Sequence, residues 1–195
     1  MSIKCSDLGP PDAKIVIVTD APSVRDEQNG VLFSDSTGKL FKQMLSHSGL
    51  DFNSCYVTSV MFVCPPNNNF KYMYNGNMPS KQLEELWQNL RNKLDNIRPE
   101  LIIVVGGEAL RAVCNKVNIN AYRGTWLKYK SAKVMPVYHP SYVMKVYSEH
   151  VVFEMDIAKA ITRKPAIVPP IILKPTLSQV IKWIDSARKS GTYVA

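Results

Sequence analysis

The sequence lacks the features of membrane and secreted proteins. No apolar run approaches the roughly 20 residues that a membrane-spanning helix needs, the longest being short pieces such as Leu101 to Val105. The opening residues, MSIKCSDLG, contain no apolar signal-peptide stretch. The four cysteines form no C-x-x-C pair, so disulfides and a zinc site are not indicated. We therefore expect a cytoplasmic protein with reduced thiols, no metal and no membrane partner.

Several sequence motifs of common enzyme classes are also missing. There is no G-x-G-x-x-G and no G-x-x-x-x-G-K-[ST], so Gly106-Gly107 is interpreted as a strand-to-helix turn and not as a nucleotide site. The three histidines and the cysteines show no zinc-ligand spacing. A Ser-His-Asp hydrolase would lack its G-x-S-x-G elbow and has little support.

Acidic residues are absent between Glu108 and Glu149. The basic residues of that interval are Arg111, Lys116, Arg123, Lys128, Lys130, Lys133 and Lys145, and the whole chain has a formal net charge of +8. One-sided charge of this kind is expected of a face that binds phosphates. A solvated basic surface without a partner is the alternative.

Four short apolar runs predict buried strands: Lys14 to Val18, Cys55 to Met61, Leu101 to Val105 and Val134 to Tyr138. Helical periodicity separates them, around Leu40 to Leu45, from Ser80 to Ile97, around Ala109 to Val113 and from Val151 to Ile161. Strands alternating with helices indicate a parallel sheet covered on both faces. The predicted fold class is α/β, with three layers and a four-stranded parallel sheet.

The composition changes after Arg163. We expect a domain over residues 1–164, a proline-rich linker over 165–175, and a helix and strand over 176–195 that can begin a following domain. The terminal strand, Gly191 to Ala195, indicates either a piece of a longer protein or a strand added to the sheet edge.

Polar residues follow the predicted strands, where open parallel sheets bind their ligands. Thr19-Asp20-Ala21-Pro22 follows the first strand, and Thr58-Ser59 lies in the second. Gly106-Gly107-Glu108 follows the third, and His139-Pro140-Ser141 follows the fourth. A carboxylate and an imidazole at one sheet edge, near a basic stretch, suit a reaction on a nucleic acid.

These residues resemble a known family over about residues 5–164. The blocks Asp20-Ala21-Pro22, Gly30 to Phe33 with Thr37-Gly38, Tyr56 to Val60, Pro65-Pro66-Asn67, Arg123-Gly124 and His139 to Tyr142 are similar, in order and spacing, to the uracil-DNA glycosylase superfamily. The nearest branch is family 4, which usually carries an iron–sulfur cluster. The resemblance implies a uracil-DNA glycosylase-like fold with a DNA groove and a pocket for a flipped-out base.

The resemblance also implies roles for individual residues. Asp20 would be the catalytic carboxylate, with Asp26 and Glu27 as possible substitutes, and His139 would stabilise the anion that develops on the base. The base-binding residues would be Ala21, Pro22, Phe33 and Ser59. The DNA-binding residues would be Arg123, Ser141, Tyr142 and Lys145, with Tyr142 to Met144 acting as a wedge where the base leaves the duplex.

The chain departs from family 4 at two points. The family has an asparagine that reads the uracil edge where this chain has Ser59, which offers no paired donor and acceptor. Where the resemblance implies ligand cysteines, this chain has Val63, with Cys64 one place later, and Leu83, although Cys5 matches one of an N-terminal pair. We therefore predict no cofactor, because four cysteine ligands are not available.

Structural roles are alternatives for the same residues. Asp20 can cap a loop, His139 can be a hydrogen-bonded turn residue, and Phe33 can be plain core. The segment Phe70 to Tyr74 can stack on single-stranded bases or fold over the sheet as a loop.

The sequence thus predicts a DNA-binding domain that flips and excises uracil, or a related deaminated base, from single- or double-stranded DNA. The alternative is a catalytically inactive DNA- or uracil-binding module attached to a phage-type DNA polymerase, because Gly191 to Ala195 resembles the run-in to the exonuclease domain of such enzymes. We expect a monomer, in the host cytoplasm if the protein is viral.

Overall fold

The computed structural model describes residues 4–162 and 176–190. Within these residues the chain forms seven strands: β1 (Ile15–Thr19), β2 (Tyr56–Ser59), β3 (Tyr74–Asn75), β4 (Met78–Pro79), β5 (Leu101–Val105), β6 (Leu127–Tyr129) and β7 (Ala132–Val137). The helices there are α1 (Val24–Asn29), α2 (Ser36–His47), α3 (Lys81–Ile97), α4 (Gly107–Cys114), α5 (Ile119–Tyr122), α6 (Pro140–Lys145), α7 (Glu149–Thr162) and α8 (Leu177–Ser190).

The central sheet has the order β2-β1-β5-β7-β6. The first four strands run parallel, and β6 pairs antiparallel with β7. The predicted α/β class and its four parallel strands are confirmed, but the sheet has one edge strand more than predicted. β6 was not predicted from the sequence, because it is three residues long and carries no buried residue.

Alternation along the strands divides the core between the two faces of the sheet. Ile17 and Ile103 belong to a cluster with Phe41 of α2 and Phe153 of α7. Val16, Val18, Ile102 and Val104 belong to a second cluster, with the buried leucines of α3 and α4. Since neighbouring strand residues point to opposite faces, a strand covered on both faces must be apolar throughout, as β5 is.

Helix α3 begins and ends where the sequence predicts. The Ser80 hydroxyl accepts a hydrogen bond from the Leu83 amide, and Arg98 closes the helix in the left-handed conformation before Pro99. The apolar positions Leu83, Trp87, Leu90 and Leu94 are buried against the sheet. The short helices α1 and α6 were not predicted, since six residues are too few to show helical periodicity.

The chain divides into two units, residues 1–164 and 165–195. In the second unit, α8 occupies the region where the sequence predicts a helix. The predicted linker, 165–175, and the terminal strand, 191–195, lie outside the described residues. No helix in the described part of the chain is long and apolar enough to cross a membrane.

Candidate active site

A cavity of about 410 Å³ opens at the carboxyl ends of the parallel strands, where the sequence analysis placed the ligand site. Its volume lies within the roughly 300–1,000 Å³ typical of small-molecule pockets. Six of the predicted site residues line it: Asp20, Ala21, Pro22, Phe33, His139 and Ser141. Loops after β1 and β7 thus bring together residues that are more than a hundred positions apart in the chain.

Asp20 is held against the first turn of α4. Its Oδ1 accepts a hydrogen bond from the Ala109 amide at 2.7 Å. Gly106, with φ +103°, permits this approach, because a Cβ at that position would overlap the Asp20 carboxylate. Burial, reinforced by the nearby charge of Glu108, raises the pKa of Asp20 to about 7, although the α4 amides favour its ionised form. A carboxyl group with this pKa can exchange protons near neutral pH.

His139 precedes α6 and is fixed by the residue two positions later. Its Nδ1 accepts a hydrogen bond from the Ser141 amide at 3.3 Å, and the Ser141 hydroxyl lies 2.7 Å from the same nitrogen. Burial lowers the pKa of His139 to about 4, so the ring is neutral at pH 7. Because Nδ1 acts as an acceptor, the neutral ring carries its proton on Nε2 and can donate it in a hydrogen bond.

Phe33 is both a core residue and a cavity wall. Its ring stacks on Phe41, with centroids 4.6 Å apart and planes inclined by 29°, and it is 5% exposed. The backbone of Phe33 has φ +56°, which costs a residue with a side chain roughly 1–3 kcal/mol. Gly38 accommodates this turn, since any Cβ there would meet the Phe33 backbone.

Asp26 lines the same cavity, and its carboxylate is bonded to the neighbouring loop. Its Oδ1 accepts hydrogen bonds from the Ser34 amide, at 2.6 Å, and from the Ser34 hydroxyl, and its Oδ2 accepts one from the Ser23 amide. Glu27 accepts a hydrogen bond from the Cys64 amide at 2.7 Å. Both suggested substitutes for Asp20 therefore accept hydrogen bonds from backbone amides. Asp26 in this way fixes Ser34, the residue that follows Phe33.

Ser59 is placed differently from the other predicted base-binding residues. It is buried, it is not among the residues that line the cavity, and its hydroxyl donates to the Met61 carbonyl at 2.5 Å. The polar residue that the loop after β2 brings to the cavity lining is instead Asn68. Sequence reasoning missed Asn68, and the adjacent Pro65-Pro66-Asn67 block was the available signal.

The family assignment rests on a comparison with known proteins. The family model for the Uracil DNA glycosylase superfamily matches residues 6–161. The chain belongs to this superfamily. It is 31% identical over 157 residues to a type-4 uracil-DNA glycosylase of Thermotoga maritima, covering 76% of this chain and 77% of that protein. It is 29% identical over 146 residues to the type-4 uracil-DNA glycosylase of Archaeoglobus fulgidus, covering 70% of each.

A relative of another kind is a DNA polymerase of Bacillus phage SP01. It is 25% identical to this chain over 139 residues, which are 70% of this chain but 14% of the polymerase. The similarity therefore involves a small part of a long polypeptide.

The residues of this superfamily member do not fit a four-cysteine iron–sulfur cluster. Leu83 is fully buried in the apolar core, and Val63 packs against the same cluster. Cys5 is buried, and its amide donates to the Phe62 carbonyl, next to Val63. Within the described residues no group of three or more His, Cys, Asp or Glu side chains is arranged to hold a metal ion. Aliphatic packing occupies Val63 and Leu83, the two positions at which the resemblance implies ligand cysteines.

Arg123 does not line the cavity. Its Nε and Nη2 each donate to an Asp156 oxygen at 2.8 Å, which links the segment before β6 to α7. Among the other predicted DNA-binding residues, Tyr142 of α6 is 41% exposed and Lys145 is exposed.

The acid-free basic stretch is spread over both ends of the sheet. Lys133 lies at the start of β7 and pairs in register with Leu101 at the start of β5, and Lys128 lies opposite Lys133 on β6. These lysines are therefore at the end of the sheet remote from the cavity. Lys145, six residues after His139, lies at the cavity end.

Proposed function

We propose that this domain excises uracil, or a related deaminated base, from DNA by hydrolysing the N-glycosidic bond. The observation that carries the proposal is the convergence of Asp20, Phe33 and His139 on one cavity in a chain of the uracil DNA glycosylase superfamily. The type-4 relatives are named for this activity.

In the proposed reaction the target nucleotide is flipped out of the stack and its base lies against the Phe33 ring. The bond between the sugar C1′ and the base N1 breaks, and its electron pair goes to the base. The His139 Nε2–H donates to the base oxygen on which negative charge develops, which neutral imidazole does without transferring a proton. Ala21 and Pro22 form the wall beside the base.

The sugar becomes an oxocarbenium-like cation as the base leaves. The ionised Asp20 carboxylate stabilises this charge and accepts a proton from the water that adds to C1′. The products are the free base and an abasic site. Asn68 lines the same cavity, and the proposed role of its side-chain amide is to orient the water or contact the base edge.

The proposed DNA contacts involve exposed groups near the cavity mouth. Tyr142 and Met144 of α6 are 41% and 48% exposed, which suits side chains that fill the gap left by a flipped base. Ser141 and Lys145 are on the same helix. The proposed role of Arg123 is to support α6 indirectly, through its ion pair with Asp156 of α7.

The proposed acting form is a monomer in the cytoplasm, of the host cell if the protein is viral.

The test is incubation with single- and double-stranded oligonucleotides that contain one uracil, followed by measurement of abasic sites. We expect cleavage that falls by roughly 10²–10³-fold in His139→Ala, as for loss of one oxyanion donor. Asp20→Ala should lose activity as well, while Glu84→Gln on the outer face of α3 should not. Absence of abasic product with wild-type protein would refute the proposal.

The second candidate is an inactive DNA- or uracil-binding module of a longer polymerase polypeptide. The similarity to part of a phage DNA polymerase favours it, as does the position of Ser59 outside the cavity. Salt-dependent DNA binding without abasic product would support this candidate over the first.

A further inference from the structure

Residues 70–79, called here the aromatic hairpin, present an exposed tyrosine beside the cavity. A 3₁₀ turn at Phe70–Met73 leads into β3 and β4, which pair antiparallel around Gly76-Asn77. Tyr72 is 62% exposed. We propose that the aromatic hairpin is a platform for single-stranded DNA on which Tyr72 stacks with an unpaired base next to the target nucleotide. This inference rests on the proposed function, since it assumes a DNA strand in the cavity.

The aromatic hairpin is anchored by side-chain contacts on both sides of Tyr72, so the fold itself keeps Tyr72 exposed. The Tyr74 hydroxyl donates to the Glu108 carboxylate of α4. The Arg111 guanidinium lies 4.8 Å from the centre of the Tyr74 ring, and its Nη2 donates to the Asn77 carbonyl at 3.0 Å. Met73 is 5% exposed within the core. Since the neighbours on both sides of Tyr72 are held, its ring is presented on a rigid support.

The aromatic hairpin is continuous with the cavity. Phe70 and Asn68 line the cavity, and Tyr72 follows Phe70 by two residues. The Asn69 side chain accepts a hydrogen bond from the Lys71 amide at 2.9 Å and fixes this turn. In the proposed complex the nucleotides adjacent to the flipped base lie beside Lys71 and Tyr72.

The charge of this region suits a polyanion. No Asp or Glu occurs from Phe52 to Leu83, and Lys71 and Lys81 are exposed. Glu108, the acidic group that contacts the aromatic hairpin, is bonded to Tyr74 and lies near Arg111. Aromatic rings beside basic side chains bind single strands with little sequence preference, because every base has a face that can stack.

The experiment measures affinity by fluorescence anisotropy for a uracil-containing oligonucleotide, as a single strand and as a duplex. We expect Tyr72→Ala to weaken single-strand binding by roughly 10-fold and Tyr72→Phe to retain it, since phenylalanine also stacks. Duplex binding should change little, because paired bases are not available to the ring. Lys71→Ala should reduce the slope of log affinity against log salt by about 0.7.

The controls distinguish stacking on Tyr72 from the general effect on DNA affinity of removing a charge or an exposed apolar side chain. Lys128→Ala removes an equal charge at the remote end of the sheet, and Val117→Ala removes an apolar side chain that is 61% exposed elsewhere. Single-strand affinity of Tyr72→Ala equal to that of these controls would overturn the inference. So would an equal loss for duplex, which would indicate a protein-structural role.

Excision is measured on the same samples so that the two proposals can fail separately. If wild-type protein produces no abasic sites but Tyr72→Ala still loses single-strand affinity, the proposed function fails and the platform stands. If wild-type protein excises uracil and Tyr72→Ala binds and excises from single strands normally, the platform fails alone.

Discussion

At the scale of single residues, the site depends on two groups whose pKa values are moved in opposite directions by the same cause. Burial raises the pKa of the Asp20 carboxyl to about 7 and lowers the pKa of the His139 imidazole to about 4. Between these values both groups are predominantly uncharged. Desolvation disfavours the ionised form of each, which leaves His139 a neutral donor and Asp20 a group that ionises near neutral pH.

The pH dependence of excision follows from Asp20. If the ionised carboxylate is the active form, kcat/KM should increase about tenfold per unit below pH 6, bend at about pH 7 and level off above about pH 8. His139 stays neutral over this range and should add no inflection. The measurement is kcat/KM for a uracil oligonucleotide between pH 5 and pH 9.

Glu108→Gln tests the cause of this inflection. Removing the negative charge beside Asp20 should move the apparent pKa of the profile to lower pH, while the amide oxygen can still accept from Tyr74. Glu84→Gln, in the first turn of α3, is the matched control and should leave the profile in place. A profile that is flat from pH 5 to 8 would contradict the role of Asp20.

At the scale of elements, short connections position the site. Helix α6 begins directly after His139, so the ring is fixed at the start of the helix by the Ser141 amide. Helix α4 begins directly after β5 and supplies the Ala109 amide to Asp20. The positions of the Ala109 amide and the His139 ring depend on β5 and β7, two buried strands that end at the same edge of the sheet. Two segments that are distant in the chain therefore meet at one cavity.

The Arg123–Asp156 pair is expected to stabilise the junction between the segment before β6 and α7. Arg123→Ala would leave the Asp156 carboxylate buried without its ion pair, at a cost of about 3 kcal/mol. For a chain of this size that corresponds to a decrease in Tm of roughly 6–12 °C. Thermal unfolding at pH 7 measures it.

The double variant Arg123→Met/Asp156→Leu controls for the unpaired charge. It should recover most of the lost Tm, because apolar groups of similar volume need no partner. If Arg123→Ala unfolds at the wild-type temperature but binds DNA less well, Arg123 is a DNA contact and not a support of the fold.

At the scale of the whole molecule, the net charge of +8 is less informative than its placement. Lys128 and Lys133 are at the end of the sheet remote from the cavity, and Lys130 is paired with Asp95. Lys145 lies on α6 at the cavity end. The part of the basic charge that can hold DNA across the cavity is therefore smaller than the sequence total indicates.

Salt dependence distinguishes these positions. Lys145→Ala should reduce the slope of log affinity for duplex DNA against log salt by about 0.9, because one phosphate contact is lost. Lys133→Ala should leave the slope unchanged. Equal changes in the two variants would mean that DNA binds the chain without orientation toward the cavity.

The sequence by itself determined the frame of this protein. Apolar runs that are long enough for a strand and too short for a helix defined β1, β5 and β7, and the periodicity from Ser80 to Ile97 defined α3. Both could be predicted because burial on one or both sides produces a local pattern of apolar residues in the sequence. It also placed Asp20 and His139 at strand ends, where parallel sheets bind ligands.

Only the tertiary structure decided how the polar groups are used. Asp26 and Arg123 are bonded to Ser34 and Asp156, partners that no local pattern reveals, and Ser59 is turned to its own loop while Asn68 reaches the cavity. A polar side chain carries no periodic signal, and its partner is chosen by distances in space. The fold was therefore predictable from the sequence, whereas the assignment of hydrogen bonds within the site was not.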